Sequence, residues 1–527
     1  MKRSTIVLVI ILFLASFLRL WQLGVVPFGM THDELGYSYN AYSIAKTGKN
    51  VFSEKLPLLT WVAKGDAFLP TTMYLTVPFF FFLPFDATTA RLPDALLGIA
   101  DVFLIYILVF SLFKNKKLAL LSAFFLAISP WHLHFSRSGY DINFALFFYL
   151  LSVTLFVIEI KKGRPPYFSL LSLLLGIFTY RGMSAMAFPL FLSLFLYAKL
   201  IKAKKHQIIV FVAGGFVVFA IFLGVILKVG RENYAPESTS LLKDPKMQQY
   251  IDDQSRDAKG PLFLKRIFLN KPMYLLDRFR ENYFETYSPG FLFLHTEGRQ
   301  TYSIWSRGRI YFADSIFILA GFLYFARMRK KESVLLFFLL LIGGLPVALA
   351  GPPVSARSFF LSSIFPVFSA AGVFFFYDLL KKGKVIFMVG ILIVYLFLLT
   401  SYLFDYYARY AYQGAEAWGK SFKDVSKLID ENKTKYDKII WEKVTFGDFI
   451  EYSLYSKIEP SDVQKVYKTG SNGIYSFQNI VLSNNCENSQ GSALYIVSSS
   501  DCFKDNAPNS TINDFFGNPI WKVYSFK

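Results

Sequence analysis

The residues best suited to chemistry are acidic side chains that follow apolar segments. Asp33 and Glu34 come after the first apolar segment, beyond a turn marked by Pro27 and Gly29, and Asp141 follows a later one. Carboxylates favour helix N-termini, so the simplest interpretation of each acid is a helix cap. An acid at the hydrocarbon edge is costly without a role, and a positioned carboxylate can accept a proton from a reacting hydroxyl. These acids are therefore the first candidates for catalysis.

The composition shows what kind of chain must position them. The 527 residues are 54% hydrophobic, 19% aromatic and only 18% charged, whereas an ordinary soluble domain has about 25% charged residues. This excludes a water-soluble enzyme, a disordered chain and, with two cysteines, a disulfide mini-protein. The sequence predicts an α-helical polytopic membrane protein.

Eleven segments are apolar and long enough to span a membrane as helices. The segment 67–85 is also apolar, but Pro70, Pro78 and Pro84 interrupt it, so it is predicted to be a juxtamembrane or re-entrant helix. In the first span, Arg19 and Trp21 are typical of an interfacial end. The predicted spans are 5–23, 92–113, 117–135, 142–160, 166–181, 183–200, 207–228, 310–327, 333–350, 358–377 and 384–404.

The charge of the short loops predicts the orientation. Alternation of the spans places all the Lys- and Arg-rich loops on one side, which the positive-inside rule makes cytoplasmic together with the N-terminus. Most of the formal net charge of +19 lies there, so the charge gives no reason to expect a nucleic-acid partner. The basic loops are 114–117, 161–164, 199–205, 327–331 and 381–384.

The domain prediction follows from this topology. Residues 1–404 are predicted to form the membrane domain, with large external loops at 24–91 and 229–309. Residues 405–527 are predicted to be an external soluble α/β domain, with a helix over 415–432 and strand-like runs at 438–441, 493–498 and 521–526. Cys486 and Cys502 both lie in this domain, where one disulfide is compatible with an oxidising compartment.

Asp33 and Asp141 then face the same external side. Two carboxylates from different loops suit glycosyl transfer, in which one removes a proton from the acceptor and the other positions it. His32 lies beside Asp33 and is a further candidate for the site. Arg137, Arg181 and Arg357 are predicted on the same external side, where the positive-inside rule predicts few basic residues. Either they extend to lipid headgroups or they clamp a phosphate through the arginine fork.

Four ordered stretches in the first 160 residues support a family resemblance, together with a weaker match at 282–293. The stretches are P-x-G-x-x-x-D-E from Pro27 to Glu34 and on to Gly48, Gly65-Asp66 leading to Pro78, Ala90-Arg91-Leu92-Pro93 leading to Gly98, and Ser129-Pro130 through Arg137 to Asp141. With these motifs the chain resembles the lipid-dependent membrane glycosyltransferases of the protein O-mannosyltransferase and aminoarabinose transferase superfamily, which are family 39-like and have the GT-C fold.

The resemblance implies roles for several residues. Asp33 would act as general base or position the acceptor, Glu34 would pair with Arg91, and Asp141 would be the acid of the second loop. The donor would be a sugar on dolichyl or undecaprenyl phosphate, and the acceptor a hydroxyl of a protein, lipid or glycan on the external face of the plasma membrane. Direct displacement would invert the anomeric carbon.

One departure from the family concerns the phosphate. Relatives often have Lys-Pro-Pro where this chain has Phe68, Leu69 and Pro70, which leaves Lys64 or the external arginines as phosphate ligands. No Asp-x-Asp pair follows the first span, so no metal or other cofactor is indicated.

Two other functions compete with sugar transfer. A transporter or flippase would suit eleven spans and the intramembrane Asp101, although no repeat relates the two halves of the chain. A polymerase or ligase of lipid-linked saccharides would use the same external arginines and transfer whole oligosaccharides.

Overall fold

A computed structural model describes residues 3–61, 67–230, 241, 244–294, 297–304, 307–442, 444–471, 473–483, 491–498, 503 and 506–526. The chain forms two compact units. The first consists of Met1–Arg19, Leu96–Ser136 and Asp141–Thr400, and the second of Leu20–Ala95, Arg137–Tyr140 and Ser401–Lys527. Lys64, Cys486 and Cys502, which the sequence singled out, lie outside the described residues.

The first unit is helical. Glycines bring two of its helices into backbone contact, because a Cβ at Gly321 would collide with the carbonyl of Phe368 and one at Gly372 with the carbonyl of Phe317. Its helices are Arg3–Leu20, Ala87–Phe113, Lys116–Ile128, Pro130–Phe135, Asp141–Lys161, Tyr167–Ile177, Arg181–Ser184, Ala187–Leu200, Lys205–Val229, Met247–Asp257, Leu262–Phe268, Lys271–Glu285, Asp314–Met328, Lys331–Ile342, Leu345–Ala350, Leu361–Leu379 and Lys384–Phe404, with a π-helical turn at Gly290–Leu294. The helices Arg3–Leu20 and Ala87–Phe113 each continue into the second unit.

Eight helical segments in the described part of the chain are long and apolar enough to cross a membrane, and the predicted polytopic helical fold is confirmed. Three predicted spans form shorter helices: Lys116–Ile128, Tyr167–Ile177 and Asp314–Met328. The helix Lys116–Ile128 ends at Ser129, and the short helix Pro130–Phe135 begins directly after it. The break occurs here because proline lacks the amide hydrogen that a continuous helix needs. The eight are Arg3–Leu20, Ala87–Phe113, Asp141–Lys161, Arg181–Leu200, Lys205–Val229, Lys331–Ala350, Leu361–Leu379 and Lys384–Gln413.

The second unit contains the predicted juxtamembrane helix. Residues Pro70–Phe82 form a helix that packs on His32–Thr47, with Met73 and Phe80 buried against Tyr37. Its 13 residues are too few to span the bilayer, for which about 20 are needed. The other helical segments of this unit are Asp405–Tyr410, Ala411–Gln413, Glu416–Trp418, Lys420–Asn432, Phe446–Tyr455 and Pro460–Thr469.

In the described part of the chain, the second unit also contains eight strands: β1 Thr60–Trp61, β2 Ala67–Phe68, β3 Lys438–Glu442, β4 Tyr475–Phe477, β5 Ile480–Ser483, β6 Ala493–Val497, β7 Ser510–Asn513 and β8 Pro519–Phe526. Strands β1 and β2 form a separate hairpin. The other six form a mixed sheet in the order β4-β5-β3-β6-β8-β7. The central strand β3 runs parallel to β5 and β6, and the outer pairs are antiparallel. The three strand-like runs of the sequence correspond to β3, β6 and β8, so the α/β character is confirmed.

One hydrophobic core joins the first loop to the C-terminal segment. Leu35 and Tyr39 are fully buried in the same cluster as Trp441, Phe449 and Ile450. The compact units therefore divide the chain differently from the predicted boundary at residue 404. The loop that carries Asp33 folds together with the C-terminal α/β segment rather than as an independent loop.

Candidate functional site

The first candidate acids lie at the start of the helix His32–Thr47. The hydroxyl of Thr31 accepts from the backbone amide of Glu34, and Oε2 of Glu34 accepts from the amide of Thr31 at 2.9 Å, which forms a capping box. Glu34 is fully buried, whereas Asp33 is partly exposed. The cap thus fixes the helix start and leaves Asp33 at the surface of its unit.

Glu34 and Arg91 form a buried ion pair, as the family resemblance implied. Nε of Arg91 donates to Oε1 of Glu34 at 2.8 Å and Nη2 donates to Oε2 at 3.2 Å. The amide of Gly139 donates to Oε1 at 2.9 Å. Because this carboxylate also accepts from Thr31, its lone pairs are used within the protein, which suits a positioning role rather than proton transfer.

Arg91 also fixes the chain that precedes the helix. Its Nη1 donates to the carbonyls of Leu23 and Pro27, and its Nη2 donates to the carbonyl of Gly29 at 2.7 Å. Gly29 has a φ of 81°, and a Cβ there would collide with the carbonyl of Trp418. One guanidinium therefore holds both the exit turn and the helix start around Asp33.

Arg137 and His32 have different surroundings in the same unit. Arg137 is buried, lies 5.3 and 5.5 Å from the ring centres of Tyr406 and Tyr407, and donates to the carbonyl of Val26 at 3.2 Å. His32 is about half exposed, and its Nε2 lies 3.7 Å from Oδ1 of Asp448. Their predicted phosphate and site roles stay predictions.

The first unit contains the other candidates. Asp141 is the first residue of the helix Asp141–Lys161, as its predicted capping position implies, and it is buried. Arg181 begins a short helix that packs on Leu345–Ala350, and Arg357 lies in the turn that follows this partner helix. Both arginines are partly exposed, so these two predicted phosphate ligands lie on neighbouring segments.

The intramembrane acid Asp101 has a partner that the sequence did not reveal. Its Oδ2 lies 3.3 Å from Nε2 of His132, whose Nδ1 is 2.8 Å from Nη2 of Arg19. Arg19 is fully buried and also donates to the carbonyls of Ala15 and Ala127. The guanidinium of Arg19 therefore links helices within the first unit, a contact that its predicted position at the end of the first span did not reveal.

Sequence reasoning missed a group of carboxyls in the second unit. Glu451 is 1% exposed, and its Oε1 has no hydrogen-bond partner among the described residues. Burial raises its pKa well above the usual range, and the charges of Asp448, Glu34 and Glu416 raise it further. Glu451 and its acidic neighbours on the C-terminal segment lie hundreds of residues from Glu34, so no sequence spacing could have indicated the group.

The described residues include no group of three His, Cys, Asp or Glu side chains arranged to hold a metal ion. Metal independence stays a prediction.

Comparisons with known proteins show which family part of the chain resembles and which solved structures share its fold. Residues 70–227 match the family described as Dolichyl-phosphate-mannose-protein mannosyltransferase. The resemblance inferred from the sequence motifs is thereby confirmed over these residues. A comparison with curated protein sequences gives no match.

Solved structures share the fold at low sequence identity. ArnT from Cupriavidus metallidurans, solved with undecaprenyl phosphate, has a TM-score of 0.50 and 10% identity, covering 99% of this chain and 97% of that one. The oligosaccharyltransferase AglB from Archaeoglobus fulgidus, solved with an inhibitory peptide and a dolichol-phosphate, has a TM-score of 0.50 and 14% identity. That match covers 86% of this chain but only 64% of AglB.

Proposed function

We propose that this protein transfers a sugar from a polyprenyl-phosphate carrier to a hydroxyl acceptor. The single observation that supports this most is the placement of Asp33, which lies partly exposed at a helix start that the buried Glu34–Arg91 pair fixes. A carboxylate held in this way can accept the acceptor's proton as the hydroxyl attacks the anomeric carbon, while the bond from that carbon to the phosphate oxygen breaks and polyprenyl phosphate leaves. Direct displacement by one nucleophile inverts that carbon.

The lipid carrier fits the other features of the chain. A polyprenyl tail needs an apolar environment, which the spanning helices supply, and ArnT and AglB have this fold and were solved with polyprenyl phosphates. Arg181 and Arg357 are proposed to hold the phosphate, since guanidinium forks match phosphate oxygens. Arg137 and Lys64 are secondary candidates, and Asp141 is proposed to assist the acceptor.

The proposed site faces the outside of the plasma membrane. This follows from the basic loops, which the positive-inside rule places in the cytoplasm together with the N-terminus. The acceptor is a hydroxyl of a protein, lipid or glycan. A protein acceptor has some support, because the family match is to protein mannosyltransferases.

The decisive experiment replaces Asp33 by Asn in the purified protein. Labelled polyprenyl-phosphate sugars and candidate acceptors are supplied, and product formation is measured. We expect D33N to lose at least about 100-fold in rate, since general-base catalysis contributes about 10²–10⁴, while its thermal unfolding stays close to that of the wild type.

The matched control is Asp462→Asn, which removes an exposed carboxylate paired with Lys465 and is expected to retain full activity. Full transfer by D33N would refute the role of Asp33. Absence of transfer by the wild-type protein with every donor and acceptor, together with substrate flux into liposomes, would favour a flippase instead.

The structure weakens one argument for a transporter. An Asp101 without a charged partner would favour a proton-coupled carrier. In the structure its carboxylate lies 3.3 Å from the imidazole of His132, and both side chains are fully buried. Transfer of a whole oligosaccharide, as by a polymerase or ligase, uses the same fold. The mass of the reaction product distinguishes that reaction from single-sugar transfer.

A further inference from the structure

A cavity of about 650 Å³ lies in the first unit. Most of its lining residues belong to the segment 229–309, which the sequence predicted only as an external loop. The helices Met247–Asp257 and Lys271–Glu285 form its walls, and Pro352 and Pro353 close one side. Its volume is in the range of small-molecule sites. None of the residues of the proposed transfer site lines it, so it needs its own explanation.

Hydrogen bonds and ring contacts hold the aromatic side of this cavity in place. The guanidinium of Arg278 lies 5.2 Å from the ring centre of Tyr250 and 5.4 Å from that of Tyr274. The hydroxyl of Tyr274 donates to Oδ2 of Asp244 at 2.6 Å, which lowers the pKa of Asp244 and keeps it ionised. Because these groups already have partners, the wall is formed before any ligand arrives.

One buried donor in the cavity has no partner among the residues that the structure describes. Asn282 lines the cavity and is 7% exposed, and its Nδ2 has no hydrogen-bond partner among the described residues. A buried amide without a partner destabilises the protein, and native structures contain few such groups. An acceptor atom of a ligand in the cavity would satisfy it.

The charges of the wall narrow the chemistry of this ligand. The wall has four carboxylate side chains and two cationic ones, and this excess of negative charge disfavours an anionic ligand. A simple cation is also disfavoured, because it could not accept a hydrogen bond from Asn282. A sugar hydroxyl both donates and accepts, so a neutral polyhydroxylated ligand matches carboxylate acceptors and amide donors together. The polar wall residues are Asp244, Asp253, Glu281, Glu285, Lys246, Arg278, Gln249 and Asn282.

We propose that this cavity binds a neutral saccharide. Nδ2 of Asn282 donates to a hydroxyl or ring oxygen, and neighbouring carboxylates accept from further hydroxyls. Gln249, on the opposing helix, supplies an amide from the other wall. The inference does not depend on the proposed transfer reaction, because it concerns equilibrium binding at a separate place.

The test is a binding experiment on the full-length protein in a detergent that has no sugar headgroup. Mannobiose, cellobiose and N,N′-diacetylchitobiose are titrated, and binding is measured by saturation-transfer NMR and calorimetry. We expect at least one disaccharide to bind the wild type. Asn282→Leu should weaken that binding tenfold or more, yet leave the melting temperature of the ligand-free protein unchanged or raised, because it removes an unsatisfied buried donor.

A pair of neighbouring glutamines gives the matched control. Gln249→Ala should weaken binding several-fold, whereas Gln248→Ala should not, since Gln248 is exposed and bonds to Asp252 on its own helix. This pair also gives the answer if Asn282→Leu does not fold.

The proposal is overturned if no disaccharide binds the wild type, or if the Gln249→Ala and Asn282→Leu proteins bind as the wild type does. Binding of a short peptide or a diamine instead, lost in the same variants, would also overturn it. Sugar transfer that persists without saccharide binding here would refute this site and leave the proposed function intact.

Discussion

At the scale of single residues, two adjacent carboxyl groups of the second unit have different surroundings. Glu34 accepts four hydrogen bonds, from Thr31, Gly139 and twice from Arg91, and is fully buried. Asp33 is adjacent in sequence yet partly exposed. The helix turn directs consecutive side chains about 100° apart, which is how neighbouring acids acquire different environments.

Glu451 gives a prediction for the pH dependence of stability. Its raised pKa means that the unfolded chain ionises this carboxyl at lower pH than the folded protein does. Its contribution to stability is therefore complete below the unfolded pKa and is lost as the pH rises towards the folded pKa. We expect Glu451→Gln, which cannot ionise, to gain stability relative to the wild type as the pH is raised from 5 to 8, measured by thermal unfolding.

Glu431→Gln is the control for this measurement, because Glu431 is exposed and pairs only loosely with Lys427 at 3.8 Å. Its stability should follow that of the wild type across the pH series. A Glu451→Gln profile parallel to the wild-type profile would show that Glu451 ionises normally in the folded protein.

At the scale of elements, the C-terminal segment holds both ends of the helix that carries Asp33. Near its start, Gly29 contacts the backbone of Trp418. At its end, Nε2 of Gln464 donates to the hydroxyl of Thr47 at 2.9 Å and to the carbonyl of Asn50 at 3.0 Å. In its middle, the hydroxyl of Tyr39 donates to the carbonyl of Ile458 at 3.1 Å.

Replacing Gln464 by Leu tests this attachment. The change keeps the side-chain volume but removes the amide, which should cost about 1–2 kcal/mol in the free energy of unfolding. We expect faster hydrogen exchange at the amides of residues 48–54, measured by mass spectrometry. Lys465→Ala on the same helix removes an exposed side chain and should leave that exchange unchanged, and equal exchange in both variants would contradict the attachment.

The elements also show what the sequence can and cannot predict. Eight of the eleven predicted spans, the short helix within 67–85 and three strands follow local periodicity and proline positions, and the described part of the structure confirms them. The pairing of Glu34 with Arg91 came from the family motifs rather than from spacing. The contacts of Gln464 and Glu451 with the first loop join segments some 400 residues apart, and no local pattern of one sequence records such a contact.

At the scale of the whole molecule, the unit that holds Asp33 is built from both ends of the chain. Leu20–Ala95 and Ser401–Lys527 belong to one compact unit, and a hydrophobic core that includes Leu35 and Trp441 joins them. The C-terminal segment is thus a part of the scaffold that holds Asp33, the proposed general base. An accessory domain would have its own separate core.

Truncation after Phe404 tests this organisation. We expect the shortened protein to lose all sugar transfer and to become susceptible to protease within residues 24–61, because Leu35 and Tyr39 lose the core that buries them. Mass spectrometry of the fragments locates the cuts, and the full-length protein in the same detergent is the control. A truncated protein that keeps its activity and resists cleavage would show that the first loop folds alone.

Because the second unit combines segments that are far apart in the chain, it can fold completely only late in synthesis. The ribosome makes Asp33 early, yet the partners of its helix, such as Trp418 and Gln464, emerge only after several hundred further residues. At about 5–20 residues per second, the wait is about 20–80 seconds. A nascent or prematurely terminated chain inserted in the membrane would therefore lack the contacts that position the helix of Asp33, the proposed general base.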